Sequence, residues 1–400
     1  MKKKGWKKLC LYLIICLAGG LLLNGCIKRD STKTIVLDEG EQSMDSEYAV
    51  KNIKEYYYEG NRKEEGWMAW EQDSENMYLL KAAAQGYEYQ KIDVGRGKIL
   101  SSIPITDAVI GQVKIAPGGE YIAYERKCME GWEFALYLVE TDTKLILGEA
   151  SSISFSWSGD GKKLFYTFIV DEEDYEYDIM AEANYGYDSS PKWCFYYCDM
   201  SSPMDVDREV EVVGYAGLRK NILPNEDGSR IYVSYEDVQG NNEPDKDLQC
   251  WEFFCENFEI YLQQIIGLPE GITRLVQYTD AGLFVQDGDK RLFLVTEFLE
   301  EPQTKQIAEP DSEDVFICEN GSHIFVLKQE ESTKHLEIRS LYLKNGVVVT
   351  EQLLYKDVYR SRADAAISMD DSAIALKSIE YLGEKKYSYK VTVLEYEDDM

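Results

Sequence analysis

Ile153-Ser154-Phe155-Ser156-Trp157-Ser158-Gly159-Asp160-Gly161-Lys162-Lys163-Leu164-Phe165-Tyr166 is the stretch whose pattern decides the fold. Alternation before the turn puts Ile153, Phe155 and Trp157 on one face of a strand. Asp160 and Gly161 are turn formers, because aspartate bonds its own backbone and glycine accepts a left-handed conformation. Leu164, Phe165 and Tyr166 supply a returning strand, so the segment predicts a hairpin. Val113-Lys114-Ile115-Ala116-Pro117-Gly118-Gly119-Glu120-Tyr121-Ile122-Ala123-Tyr124 repeats the plan, and again an apolar residue, Ile122, follows the turn glycine by three.

That offset recurs from Gly228 to Ile231, from Gly321 to Ile324 and, with Asp replacing Gly, from Asp371 to Ile374; Asp280 to Leu283 is a weaker copy. An earlier, degenerate copy is placed at the Gly66 region, with Trp67 to Trp70 and Met77 to Leu80 as its strands. The six later turns stand 42, 67, 52, 41 and 50 residues apart, the range of a four-stranded propeller blade with loop insertions. The expected fold is all-β: a single β-propeller over residues 33–400, of seven blades with four antiparallel strands each.

Trp157 to Tyr166 and Ala116 to Tyr124 resemble the Trp/Phe-Ser-Pro-Asp-Gly-Lys-x-Ile-Ala-Tyr repeat of TolB-type, WD-like β-propellers. Phe134-Ala135-Leu136-Tyr137-Leu138-Val139-Glu140, followed by Thr141-Asp142-Thr143-Lys144, looks like that repeat's third strand and outer turn. Gly159 stands where the repeat has Pro, and Gly118 where it has Asp. The resemblance implies shape and is nearly silent on function. A ring needs an outer strand shared between the chain ends, and Ile35, Val36 and Leu37 are expected to pair with Tyr389, Val391 and Val393, removing an exposed edge.

Lys2, Lys3, Lys4, Lys7 and Lys8 precede an apolar run from Leu9 to Leu23 that is short for a spanning helix. With Leu23-Asn24-Gly25-Cys26 at its end, this segment is similar to bacterial lipoprotein signals. The resemblance implies a signal peptide at 1–25, a lipid on the Cys26 thiol, a tether at 26–32, and a body anchored on the extracytoplasmic face of the cell membrane. Removing residues 1–25 takes away five lysines and no acid, so the net charge moves from −30 to −35. Phosphate backbones and anionic surfaces repel such a body, which argues against nucleic acid as a partner. An envelope protein or a cell-wall glycan is the expected partner.

Beyond the signal lie Cys128, Cys194, Cys198, Cys250, Cys255 and Cys318. Six is an even number, so disulfides suit an oxidising compartment, while the aromatic surroundings suit buried free thiols equally well. Two insertions break the even repeat spacing. Residues 171–192 hold Asp171, Glu172, Asp174, Tyr175, Tyr177 and Asp178; residues 236–247 hold Asn241, Asp245 and Asp247. Long loops on a rigid scaffold are where binding usually resides, so these residues are the expected ligand contacts. Their oxygens are numerous enough for weak calcium binding, although neither segment follows the 12-residue loop with its central Gly and terminal Glu.

Catalytic signatures are sparse. Only His323 and His335 are present, no Gly-x-Ser-x-Gly elbow occurs, and His323 is expected on a strand surface. Zinc needs converging His and Cys, which this spacing does not supply, and no cofactor is expected. The aromatic groups Tyr56-Tyr57-Tyr58 and Trp193, Phe195, Tyr196, Tyr197 suit strand packing better than sugar stacking. The resulting expectation is a binding or scaffold module that is not an enzyme, with a carbohydrate-active enzyme using funnel carboxylates as the alternative.

Overall fold

The computed structural model describes residues 31–36, 48–60, 67–83, 85–107, 109–149, 153–170, 192–201, 209–213, 218–235, 248–256, 259–296, 303–308, 314–318, 321–330, 335–358, 361–383 and 386–398. Among them every regular element is a strand, and no helix is long and apolar enough to cross a membrane. Two strands, β1 (Ser31–Val36) and β2 (Tyr48–Gly60), precede the repeats. Blade 1 is then β3 (Trp67–Trp70), β4 (Asn76–Ala82), β5 (Tyr87–Asp93) and β6 (Lys98–Ile105). Blade 2 is β7 (Ile110–Ile115), β8 (Tyr121–Lys127), β9 (Trp132–Leu138) and β10 (Thr143–Glu149). Blade 3 is β11 (Ser154–Trp157), β12 (Lys163–Val170), β13 (Lys192–Asp199) and β14 (Glu209–Val213). Blade 4 is β15 (Leu218–Pro224), β16 (Arg230–Tyr235), β17 (Gln249–Glu256) and β18 (Glu259–Ile266).

Blade 5 is β19 (Ile272–Thr279), β20 (Gly282–Asp287), β21 (Leu292–Thr296) and β22 (Gln303–Ala308). Blade 6 is β23 (Asp314–Ile317), β24 (His323–Glu330), β25 (His335–Lys344) and β26 (Val347–Val358). Blade 7 takes β27 (Ser361–Ile367), β28 (Ala373–Gly383) and β29 (Lys386–Asp398) from the C-terminal end, with β2 and β1 as its outer strands. Each sheet is antiparallel, blades 1 to 6 run in chain order outward from the axis, and blade 7 runs β27-β28-β29-β2-β1; the result is a seven-bladed β-propeller.

The offset read from the sequence marks the buried heart of every blade. Met77, Ile122, Leu164, Ile231, Leu283, Ile324 and Ile374 are all 0% exposed. In six blades the turn joining the first two strands, here called the inner turn, has one hydrogen-bond scheme. In blade 3 the Ser158 amide donates to the Lys163 carbonyl at 2.9 Å, the Gly161 amide donates to the Ser158 carbonyl at 2.9 Å, and the Met200 amide reaches the Lys162 carbonyl at 2.8 Å. Blade 5 departs from it: Thr279 pairs directly with Gly282, leaving a two-residue turn at Asp280 and Ala281. The degenerate first copy is blade 1: Trp67 to Trp70 and Met77 to Leu80 lie in β3 and β4 as expected, and the turn between them carries Ser74 at φ 56°.

Ser74 and Asp371 hold the left-handed position of the inner turn in blades 1 and 7, but the positions of Gly161 and Gly119 suit glycine for two reasons. Gly161 has φ 68°, a region costly for residues with a Cβ, and a Cβ there would come within 2.5 Å of the Pro117 carbonyl oxygen in blade 2. Gly119 has φ 77° and lies against the Tyr78 ring of blade 1. The absence of Pro at position 159 also has a reason. The Gly159 and Asp160 amides donate to the carbonyls of Asn225 (3.3 Å) and Glu226 (2.8 Å) in blade 4, and proline has no amide hydrogen to give.

Among the described residues the core divides into seven apolar clusters, one at each blade interface. Aromatic residues also fasten blades by their polar tips, as amphipathic rings can. The Tyr89 hydroxyl donates to the Gly119 carbonyl at 2.7 Å, the Tyr56 hydroxyl to the Val94 carbonyl at 3.2 Å, and the Trp157 indole to the Lys114 carbonyl at 2.9 Å. Tyr56, Tyr58, Phe195 and Tyr197 are buried in these interfaces, as packing residues.

Closure differs from the sequence expectation. The strand paired with the C-terminal strand is β2, with Tyr58 opposite Tyr389, Tyr56 opposite Val391 and Lys54 opposite Val393. Ile35 and Val36 instead belong to β1, a fifth strand outside β2, where Ile35 lies opposite Ile53. Two ion pairs cross the β2–β29 seam: Lys54 with Glu395, and Lys390 with Glu55 at 3.4 Å. All four carboxylate and ammonium groups are held between neighbouring strands, so a slipped register would separate buried charges, which is costly.

Asp107 secures the crossover from blade 1 to blade 2. It accepts from the Tyr124 hydroxyl at 2.7 Å, Arg126 at 2.9 Å and Lys144 at 3.0 Å. Burial alone would raise its pKa, but these donors outweigh that and hold it below the usual aspartate value.

Cys128, Cys198, Cys250, Cys255 and Cys318 are not joined in disulfides, so Cys250 and Cys255 are not bridged; the side chain of Cys194 lies outside the described residues. Burial pushes the Cys198 and Cys318 thiols up to about 12, which keeps them protonated and unreactive at neutral pH.

Two stability measurements check this account. Leu164→Ala is expected to cost about 2–5 kcal/mol in urea unfolding through the cavity it leaves. Gly161→Val is expected to destabilise through both its backbone conformation and the Pro117 contact; unchanged midpoints would refute the packing argument. Because the folded Asp107 pKa is depressed, its stabilisation is complete above the unfolded value of about 4 and fades as pH falls through the folded value. The stability gap between wild type and Asp107→Asn should therefore be full at pH 7 and shrink below about pH 4.

Candidate functional site

The innermost strands β7, β11, β15 and β19 end at neighbouring inner turns, and between blades 2 and 5 their ends leave a cleft of about 610 Å³. Pro117 comes from blade 2; Ser156, Trp157, Ser158 and Gly159 from blade 3; Leu223 to Glu226 and Arg230 from blade 4; Val276 to Asp280 from blade 5. The size is that of a small-molecule site. Its lining mixes two aromatic residues, Trp157 and Tyr278, with amides at Asn225 and Gln277, carboxylates at Glu226 and Asp280, and the Arg230 guanidinium.

The wall on the blade 4 side is stiffened from behind. The Tyr278 ring stacks on Tyr232 with centroids 4.3 Å apart, and the Tyr232 hydroxyl donates to Glu252 at 2.9 Å. Gln264 donates to the other Glu252 oxygen, and the Arg230 guanidinium stands 3.8 Å from Glu252 and over the Phe254 ring at 5.2 Å. Burial, then the neighbouring Tyr278 and Glu252, push the Tyr232 pKa up, so its proton stays in place as donor. This network presents Arg230 and Tyr278 at fixed positions, as a preorganised surface requires.

Lys114, on β7, borders the same region. Its ammonium donates to the Ser156 hydroxyl at 3.4 Å, across the gap between blades 2 and 3, and lies 5.9 Å from the Phe155 ring centroid. The side chain is reached by water yet enclosed by the ring, and desolvation lowers its pKa to about 8. The strand alternation explains its direction: Val113 is buried while Gln112 and Lys114 are exposed.

The ligand contacts expected from the sequence, Asp171, Glu172, Asp174, Tyr175, Tyr177, Asp178, Asn241, Asp245 and Asp247, lie outside the described residues, as does Cys26. The strands that flank the two insertions are described: β12 and β13 in blade 3, β16 and β17 in blade 4. Their connecting ends lie on the face of the ring opposite the inner turns, away from the cleft. His323 is not on the surface as expected. It is 3% exposed, with its ring against Tyr342 at 4.9 Å and Nδ1 3.2 Å from the Ser322 hydroxyl. Sequence reasoning missed the cleft residues, although Trp157, Lys114 and Asp280 all stand within repeat copies it had identified.

No family model matches the chain, and no curated protein matches it in sequence. Solved structures do match in fold. An oligogalacturonate lyase in complex with manganese is 12% identical with a TM-score of 0.55, over 91% of this chain and 96% of that one. An oligogalacturonate lyase from Vibrio parahaemolyticus gives the same identity, coverage and TM-score. TolB from Acinetobacter baumannii is 14% identical with a TM-score of 0.43, over 79% of this chain and 80% of that one. Among the described residues no three His, Cys, Asp or Glu side chains gather to hold a metal, so the manganese of the first neighbour has no fitting counterpart among them.

These neighbours correct the expectation that the chain is not an enzyme. Lyases share its architecture over 91% of its length, so a lone ring of blades is no argument against catalysis. The chain is a seven-bladed β-propeller, and the solved structures that resemble it include both TolB and oligogalacturonate lyases.

Proposed function

We propose that this protein is a lipid-anchored, extracytoplasmic propeller that binds a cell-wall glycan in the cleft between blades 2 and 5. The observation that carries the reading is the lining of that cleft. Sugars present apolar ring faces edged by hydroxyls, and Trp157 and Tyr278 offer aromatic surface beside Asn225, Gln277, Glu226, Asp280 and Arg230, which supply donors and acceptors. The scaffold suits binding because its ordering cost is met on folding, so little is lost when a ligand enters. The acidic body, with a formal charge of −30, favours a partner that is not a polyphosphate. The lysine-led apolar segment ending at Cys26 supports export and acylation.

Binding is tested by isothermal titration of the full chain, extracted in detergent, against cell-wall oligosaccharides. Gln277→Ala and Asp280→Asn are each expected to weaken binding roughly three- to tenfold, the worth of one hydrogen bond, with the thermal midpoint unchanged. Absence of binding, or indifference to both substitutions, refutes the reading. Appearance of shortened chains in the same mixtures would assign turnover to the cleft. For the anchor, metabolic labelling with an alkyne fatty acid should tag the wild type and not Cys26→Ala; equal labelling refutes acylation at that residue.

A further inference from the structure

Lys114 is unusual in its company. The chain carries 73 acidic and 43 basic residues, and three buried or half-buried lysines are matched: Lys54 with Glu395, Lys390 with Glu55, Lys91 with Glu71. Among the described residues the Lys114 ammonium has no carboxylate, and its polar side-chain contact is the Ser156 hydroxyl at 3.4 Å. A hydroxyl orients an ammonium without neutralising it, and an ammonium has three donors to place. Ser156 itself lines the cleft, so an atom bound there can accept from the hydroxyl and the ammonium together.

We infer that Lys114 and Ser156 form an anion-binding subsite at the edge of the cleft, which selects ligands carrying a sugar-linked carboxylate or phosphate. This rests on the cleft being the ligand site and adds the charge class of what it holds. Three features support it. The ammonium lies 3.4 Å from the Ser156 hydroxyl and 5.9 Å from the Phe155 ring centroid, and no carboxylate among the described residues competes with an incoming anion for it. It is an adaptable point charge on a flexible stem, which suits a single anionic oxygen better than a bidentate fork. Its lowered pKa, about 8, reports desolvation unrelieved by a countercharge, and a bound anion supplies that countercharge. Arg230 does not compete for this role, because it already faces Glu252 and Phe254.

The test compares glucose, glucuronate and glucose 6-phosphate on the full chain in detergent at pH 7, by titration, for wild type, Lys114→Met and Ser156→Ala. At least one of the two anionic sugars is expected to bind the wild type about tenfold more tightly than glucose, the worth of a charge-assisted hydrogen bond. Lys114→Met should abolish that preference and leave glucose affinity and thermal midpoint unchanged; Ser156→Ala should reduce it. The favoured anionic sugar should also slow acylation of Lys114 by N-hydroxysuccinimide acetate, followed by mass spectrometry. Equal affinity for glucose and both anions, or a preference that survives Lys114→Met, overturns the subsite while the cleft reading stands. Failure of all three sugars to bind overturns both together. Whichever of glucuronate and glucose 6-phosphate is favoured identifies the anion as carboxylate or phosphate.

Discussion

The whole ring depends on a geometric constraint at its inner end: the chain must reverse direction in very few residues while neighbouring turns stand almost in contact. A left-handed residue makes the reversal, and its lack of a Cβ at Gly119 and Gly161 lets the adjacent blade come close. Three residues later the chain has entered the sheet, and the side chain at that point is sealed between two blades. Local turn chemistry and interface packing are therefore one requirement repeated around an axis. The cleft lies where four of these inner ends meet. Between blades 2 and 5 the inner turns include the shortened one at Asp280, and the wall they form is open to solvent.

Much of this was legible in the residues. The offset from Gly161 to Leu164 found the blade cores because a fully sealed position tolerates only apolar residues, and its recurrence gave the blade number. The closing strand was not legible. Tyr48–Gly60 contains Lys54 and Glu55 beside each other, and buried ion pairs break the alternation by which a sheet strand is recognised. Ile35 and Val36 looked better on hydrophobicity and turned out to be one strand farther from the core. Ser74 was missed as a turn residue because a serine in a left-handed conformation has no distinctive spelling.

The site was less legible for a different reason. Pro117, Trp157, Asn225 and Gln277 are dispersed over four blades, and only the curvature of the ring brings them to one opening. Lys114 looks like any polar residue alternating with Val113 and Ile115; nothing in its neighbours shows that the exposed side of that strand faces an enclosed space. The long acidic insertions drew attention because length and charge are visible in a sequence, whereas concavity is not. The same separation of shape from chemistry explains how an architecture seen in oligogalacturonate lyases leaves the chemistry open: the blades set a frame, and what it does is decided by a few side chains at its mouths.

The fifth strand of blade 7 has a mechanical consequence. A chain tied to a surface through its N-terminus transmits any tug first to β1, whose pairing with β2 joins six residues, while the seam that shuts the ring joins β2 to β29 along nearly the whole of a 13-residue strand. Under a pull on the N-terminal end the outer strand, about 20 Å long at roughly 3.3 Å per residue, can peel away like a tear strip before force reaches the bonds on which circular integrity rests.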